Sequence, residues 1–118
     1  MHRTLTPLEL ARRTIDLIAA RGASNVVLLD LRGLTVIADY FIVSSAQSTP
    51  QMRAIRDTLD RELTAETGIY PRFEGEFGDG WMLADLGEVI VHVFSDEGRM
   101  HYRLEQLWGD APVVLHVQ

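Results

Sequence analysis

Residues 84–99 read ADLGEVIVHVFSDEGR, an apolar strand end, a Leu-Gly turn, a second strand and the start of a helix. Side chains alternate across a strand. In the strand that leads in, Trp81, Leu83 and Asp85 therefore share one face, and Met82, Ala84 and Leu86 the other. In the strand that follows, Ile90, His92 and Phe94 oppose Val89, Val91 and Val93. Aromatic and polar groups collect on one side, small aliphatics on the other. A two-residue Leu86-Gly87 loop would set Trp81 opposite His92 but would force Leu86 to a positive φ, whereas a three-residue loop with Gly87 in a bulge shifts the pairing by one. The strand faces are legible; their register is not.

Downstream, Ser95 caps a helix whose first turn holds Asp96 and Glu97, where the helix dipole favours negative charge. The spacing of Met100, Leu104, Leu107 and Trp108 predicts its inner face. Upstream, Thr6-Pro7-Leu8-Glu9 reads as a capping box, followed by Leu8, Ala11, Ile15 and Ile18 on one stripe until Arg21-Gly22. Ser48 starts another helix, with Met52, Ile55, Leu59 and Leu63 inward and Gly68 at its end. NVVLLDL (25–31) and ADYFIVSSA (38–46) are continuous apolar runs that suit strands buried on both faces. IYPRFEG (69–75) suits a short edge strand, because Pro71 cannot donate to a central ladder. Together these elements predict an α/β fold: one domain over residues 1–118, with a mixed sheet of about five strands, helices packed on it, and a tail from about residue 110 without assigned structure.

Composition removes whole classes of chemistry. There is no cysteine, hence no disulfide, thiolate nucleophile or Cys-bound metal. Every one of the eleven basic residues is arginine, so lysine chemistry is absent too. Seventeen acids leave a net charge of −6, the wrong sign for holding nucleic acid by phosphate neutralisation, so no DNA partner is expected and a basic protein partner suits better. No apolar run approaches the roughly 20 residues of a bilayer span, so no membrane is expected. The opening MHRTLTPLEL lacks the apolar core of a secretion signal, which points to the cytoplasm.

Between Glu74 and Glu97 lie seven acids and not one arginine. Such a run can simply deter edge pairing, or it can be a docking patch. Glu97, His101 and Glu105 share an i,i+4 stripe, yet one histidine with two flexible acids is a poor ligand set, and neither metal nor cofactor is expected. His92 with Asp85 or Glu88 could move protons, but no nucleophile motif accompanies them, and a strand histidine is more often structural. SSAQS (44–48) with Asp85-Leu86-Gly87-Glu88 faintly matches the turn and paired carboxylates with which nucleotidyltransferases hold a magnesium triphosphate. That match supplies the alternative function, a nucleotidyltransferase-like enzyme.

Taken together, Asp39-Tyr40-Phe41, Glu74-Gly75, Trp81, Asp85 with Gly87-Glu88, Val91-His92 with Phe94, Glu97 with Arg99, Tyr102 and Leu107-Trp108 resemble the ribosomal silencing factor family, RsfS or Iojap. The resemblance runs from about Leu8 to Asp110, and Gly98 departs from it at a position where a helix former would be expected. It implies a nucleotidyltransferase-like fold without catalytic activity, in a translation repressor active under nutrient limitation. It further implies docking on the large ribosomal subunit through its fourteenth protein, blocked joining of the small subunit, and a homodimer when free. No small-molecule substrate is expected. Aromatics and arginine are the residue types that anchor interfaces, so the expected partner-binding set is Trp81, Leu83, Asp85, His92, Phe94, Glu97, Arg99 and Tyr102, each forming or supporting the contact.

Overall fold

The computed structural model describes residues 4–118. Its elements follow the caps and periodicities of the chain. Thr6 Oγ1 accepts from Glu9 N while Glu9 reaches back to Thr6 N, and helix α1 (Pro7–Ala19) begins there. Strands β1 (Ser24–Asp30) and β2 (Tyr40–Ser45) are the two apolar runs. Ser48 caps helix α2 (Thr49–Thr58), which continues through a π-type turn over Leu59–Leu63 into α3 (Thr64–Thr67) and ends at Gly68 with a φ of 76°. Strand β3 (Arg72–Glu76), a 3-10 turn (Phe77–Asp79), and strands β4 (Trp81–Asp85) and β5 (Val89–Phe94) follow. Helices α4 (Asp96–Tyr102) and α5 (Leu104–Leu107) and strand β6 (Val113–Val117) complete the chain.

The strands form one six-stranded sheet in the order β3-β4-β5-β2-β1-β6. The β2–β5 pair is parallel and the other pairs are antiparallel, so the sheet is mixed. It has one strand more than the sequence suggests, because the tail is not irregular: β6 pairs antiparallel with β1 at the edge. Valine-rich VVLHV has strand propensity, but its pairing with a segment some ninety positions earlier is a tertiary fact that local pattern does not carry.

The two sheet faces are covered unequally. On the first, Leu10, Ile15 and Ile18 of α1 and Met52, Ile55, Leu59 and Leu63 along α2 and its π-type turn pack onto Val26, Leu28, Ile42, Met82, Ala84, Val91 and Val93. Each of the large aliphatics sealed there contributes roughly 1.5–3 kcal/mol. On the second face Val27, Leu29, Phe41, Val43, Ile90 and Phe94 meet Leu31, Ala38 and Ala111 from connecting segments, with Trp81, Leu83, Leu104 and Trp108 half-buried against them and Tyr102 of α4 beside Phe94. Among the described residues no helix is long and apolar enough to cross a membrane.

The predicted third helix is broken in two. Arg103 takes a left-handed φ of 50°, which ends α4 after Tyr102. The break turns Met100 to solvent rather than inward, while Leu104 and Trp108 do face the second core; the side chain of Leu107 lies outside the description. It also takes Glu105 off the Glu97–His101 stripe, and Glu105 pairs instead with Arg99. Gly98 proves to be required rather than costly. It is buried with its Cα against the backbone of Gly80, and any Cβ there would collide with the Gly80 carbonyl.

Candidate functional site

Hairpin β4–β5 sets the geometry of the second face. Its turn is Gly87-Glu88, not Leu86-Gly87: Leu86 N donates to Val89 O at 2.9 Å, and Gly87 holds a φ of 97°. Glycine with positive φ at the first central position is what a two-residue primed turn requires, and here it relieves Leu86 of that conformation. Asp85 Oδ1 accepts from Gly87 N at 2.8 Å and closes the turn. The register is therefore two residues from the one with Trp81 opposite His92: Trp81 faces Phe94, Leu83 faces His92, and Asp85 faces Ile90. A shift of two preserves the faces, so the grouping of aromatic and polar side chains survives.

Extended across the sheet, three cross-strand rows run from the β3 edge inward: Glu76–Trp81–Phe94, Glu74–Leu83–His92, and Arg72–Asp85–Ile90. Each starts exposed and charged, becomes half-buried on β4, and is sealed on β5. Arg72 stands 4.0 Å from Asp85, a loose exposed contact of little energetic weight.

The aromatic row is held by direct contacts. Trp81 stacks on Phe94 with centroids 5.4 Å apart and meets Tyr102 of α4 at 4.7 Å. Trp81 Nε1 donates to His92 Nδ1 at 3.1 Å, which leaves the His92 proton on Nε2. That Nε2 is buried without a hydrogen-bond partner, and the ring packs on Phe41 with centroids 4.5 Å apart. Burial pushes the His92 pKa down to about 4, so the ring is neutral near pH 7. His92 thus orients the indole and is sealed from any partner.

Of the eight expected contact residues, Trp81, Leu83 and Asp85 are half-buried on β4, and Tyr102 and Glu97 are exposed on α4. Phe94 and His92 lie beneath them and can only support. Arg99 is half-buried and its guanidinium is engaged within the chain: Nε and Nη2 grip Glu105 at 2.8 and 3.1 Å, while Nη1 donates to Asn25 O at 2.8 Å and Ser45 Oγ at 2.9 Å. It staples α4 and α5 to the bulged start of β1, where Asn25 has a φ of 47°. Beside the row, a groove of about 660 Å³ opens between the 3-10 turn and α4, with Phe77, Asp79, Glu97, His101 and Tyr102 on its walls. Phe77 and Asp79 were missing from the expected set; the signal was their place inside the arginine-free run.

The groups matched to nucleotidyl transfer are engaged elsewhere. Ser44 Oγ donates to His92 O at 3.0 Å, Ser45 Oγ receives Arg99, and Asp85 Oδ1 is taken up by the N–H of Gly87 in its own turn. Among the described residues no group of three or more His, Asp or Glu side chains could hold a metal ion.

A mixed sheet sealed by helices on one side, with an acid- and aromatic-bearing surface on the other, defines the class: a small α/β domain with one closed and one thinly covered face. Residues 4–118 match the family described as ribosomal silencing factor during starvation, RsfS, and the chain belongs to it. The chain is 40% identical over 107 residues to ribosomal silencing factor RsfS of Halalkalibacterium halodurans, covering 90% of this chain and 91% of that one. Over 94 residues it is 40% identical to RsfS of Bacillus subtilis, covering 79% of each. A Mus musculus relative called mitochondrial assembly of ribosomal large subunit protein 1 is 27% identical, over 80% of this chain and 42% of its own. A Chromobacterium violaceum crystal structure superposes with a TM-score of 0.82 at 27% identity, covering 89% of this chain and 88% of that one. One from Bacillus halodurans gives 0.77 at 35%, covering 92% and 98%.

Proposed function

We propose that this silencing factor acts as a binding protein and not as an enzyme. It docks on the large ribosomal subunit through that subunit's fourteenth protein and, by its bulk, keeps the small subunit from joining. The observation that carries the reading is the half-covered β4 row of Trp81, Leu83 and Asp85, flanked by Tyr102 and bordered by Glu74, Glu76, Asp79 and Glu97. An aromatic centre with a polar rim is the anatomy of a protein interface. Ribosomal proteins are typically basic, so the acids would steer encounter with one and would repel bare RNA.

The test is a subunit-joining assay with purified large and small subunits. The chain is expected to suppress joining in proportion to its occupancy of large subunits, and added salt is expected to slow its association by screening the acidic rim. Full joining at saturating occupancy would remove the blocking step, and salt-independent association would remove the steering.

A further inference from the structure

Arg13, Arg21, Arg32 and Arg99 each hold a carboxylate at 3.2 Å or closer. Arg53 and Arg56 of α2 hold none among the described residues. Three positions apart on a helix, they share one side of it, and both line a cavity of about 300 Å³ between the start of α2 and the β3–β4 connection. The Arg56 guanidinium lies 4.6 Å over the Phe73 ring, which steadies it and leaves its N–H groups free. Buried Met52 and Met82 and half-buried Phe77 give the cavity an apolar floor and wall. Gly75 and Gly78 line it as bare backbone. The fold fixes Gly75, whose φ is 76° and whose Cβ would strike Trp81 O. Nothing in the fold requires Gly78, where a Cβ would meet no atom within 4 Å; its effect is to keep the mouth open. Glu76, the one acid on the lining, stands opposite Trp81, so its side chain belongs to the other face of the sheet. A cavity that gathers two arginines and turns its carboxylate away runs against the chain's net charge of −6.

We propose that this cavity binds a small organic anion: a phosphate or carboxylate carried on a compact apolar body. Arginine's planar fork matches the paired oxygens of either group, and two such forks within one helical turn can clasp a single oxyanion. An apolar lining with a few polar groups is the anatomy of a small-molecule site, and this volume lies at the lower end of the range, enough for one ring and its head group. The anion meets Arg53 and Arg56 at the mouth, with the Thr49 hydroxyl beside them, while the apolar body rests on Met52, Phe77 and Met82. The cavity lies on the helix-covered side of the sheet, across from Trp81, and the inference stands apart from the docking reading.

The experiment is a nuclear magnetic resonance titration of the full chain with phenyl phosphate and with benzoate, which separate the two head groups, and with inorganic phosphate and benzyl alcohol, which each lack one half of the ligand. Phenyl phosphate or benzoate is expected to give saturable shifts at the amides of Arg53, Arg56, Phe77 and Gly78 and at the methyls of Met52 and Met82. Inorganic phosphate and benzyl alcohol are each expected to bind at least about tenfold more weakly. Arg53→Gln and Arg56→Gln are each expected to weaken the better probe at least about tenfold, by removing a charge-assisted contact. Arg61→Gln, an exposed arginine outside the cavity, is expected to leave it unchanged. Thermal melts confirm that the three exposed-site variants are folded. No saturable shift with either phenyl phosphate or benzoate up to about 10 mM would overturn the proposal. So would benzyl alcohol binding as tightly as the anions, or an affinity that either cavity glutamine leaves unchanged.

Discussion

The helix-covered face and the opposite face of this sheet contain similar apolar strand residues, yet only the first is closed over. Thirteen residues of α1 and the α2–α3 stretch cover it, whereas two short helices and connecting segments cover the second. On the proposed docking reading, the difference separates stability from recognition. The sealed face supplies most of the burial that holds the fold. The thinly covered face keeps Trp81, Leu83 and Tyr102 accessible on a rigid backing of Phe94 and His92. A surface anchored in this way loses little side-chain freedom on binding, which is where much of the cost of an interface lies.

If the division holds, damage to the first face should appear as lost stability with docking intact in the folded fraction. Ile55→Ala, at a fully buried position on the inner side of α2, is expected to cost about 2–5 kcal/mol in urea unfolding. A cost below about 1 kcal/mol would mean that this face is not the main core. Gly98→Ala forces α4 away from Gly80 and is expected to cost about 1–3 kcal/mol while also loosening the Trp81–Tyr102 contact. Near-ultraviolet circular dichroism would register the second effect, and unchanged aromatic signals would argue that α4 does not position Tyr102.

The second face also carries a pH signature. The His92 ring in the folded chain titrates near 4, below its ordinary value of 6.5, because burial disfavours the cation. Above pH 6.5 both folded and unfolded chains keep it neutral, and it adds no pH dependence. As pH falls from 6.5 toward 4, the unfolded chain takes up a proton that the folded chain refuses, and stability drops by about 2 kcal/mol between pH 7 and pH 5. Comparing His92→Leu with wild type in denaturant melts at the two pH values isolates this share; an equal drop in both would show that His92 is not its source. The smallest effect belongs to the exposed helix layer. Arg13 and Glu66 meet at 2.6 Å, but both are about two-fifths exposed, and Glu66→Gln is expected to cost no more than about 1 kcal/mol.

How much of this was legible in the sequence follows the range of the interaction involved. Caps at Thr6, Ser48 and Ser95 are local, and all three lie where the sequence puts them. Period-two alternation correctly sorted Trp81, Leu83 and Asp85 from Met82 and Ala84. Register was not legible, since it turned on whether Leu86 or Glu88 shares the turn with Gly87. Long-range features were invisible: β6 adding to β1, Gly98 against Gly80, and Arg99 reaching Asn25 and Ser45. Arg103 in a left-handed conformation has no local signal at all, and without it Met100 is placed inside instead of out.

Co-sedimentation with isolated large ribosomal subunits, comparing wild type, Trp81→Ala and Ile55→Ala at a temperature where all three are folded, tests the separation of the two faces most directly. Trp81→Ala is expected to bind at least about thirtyfold more weakly while Ile55→Ala binds as the wild type does. Equal binding by wild type and Trp81→Ala would contradict that separation.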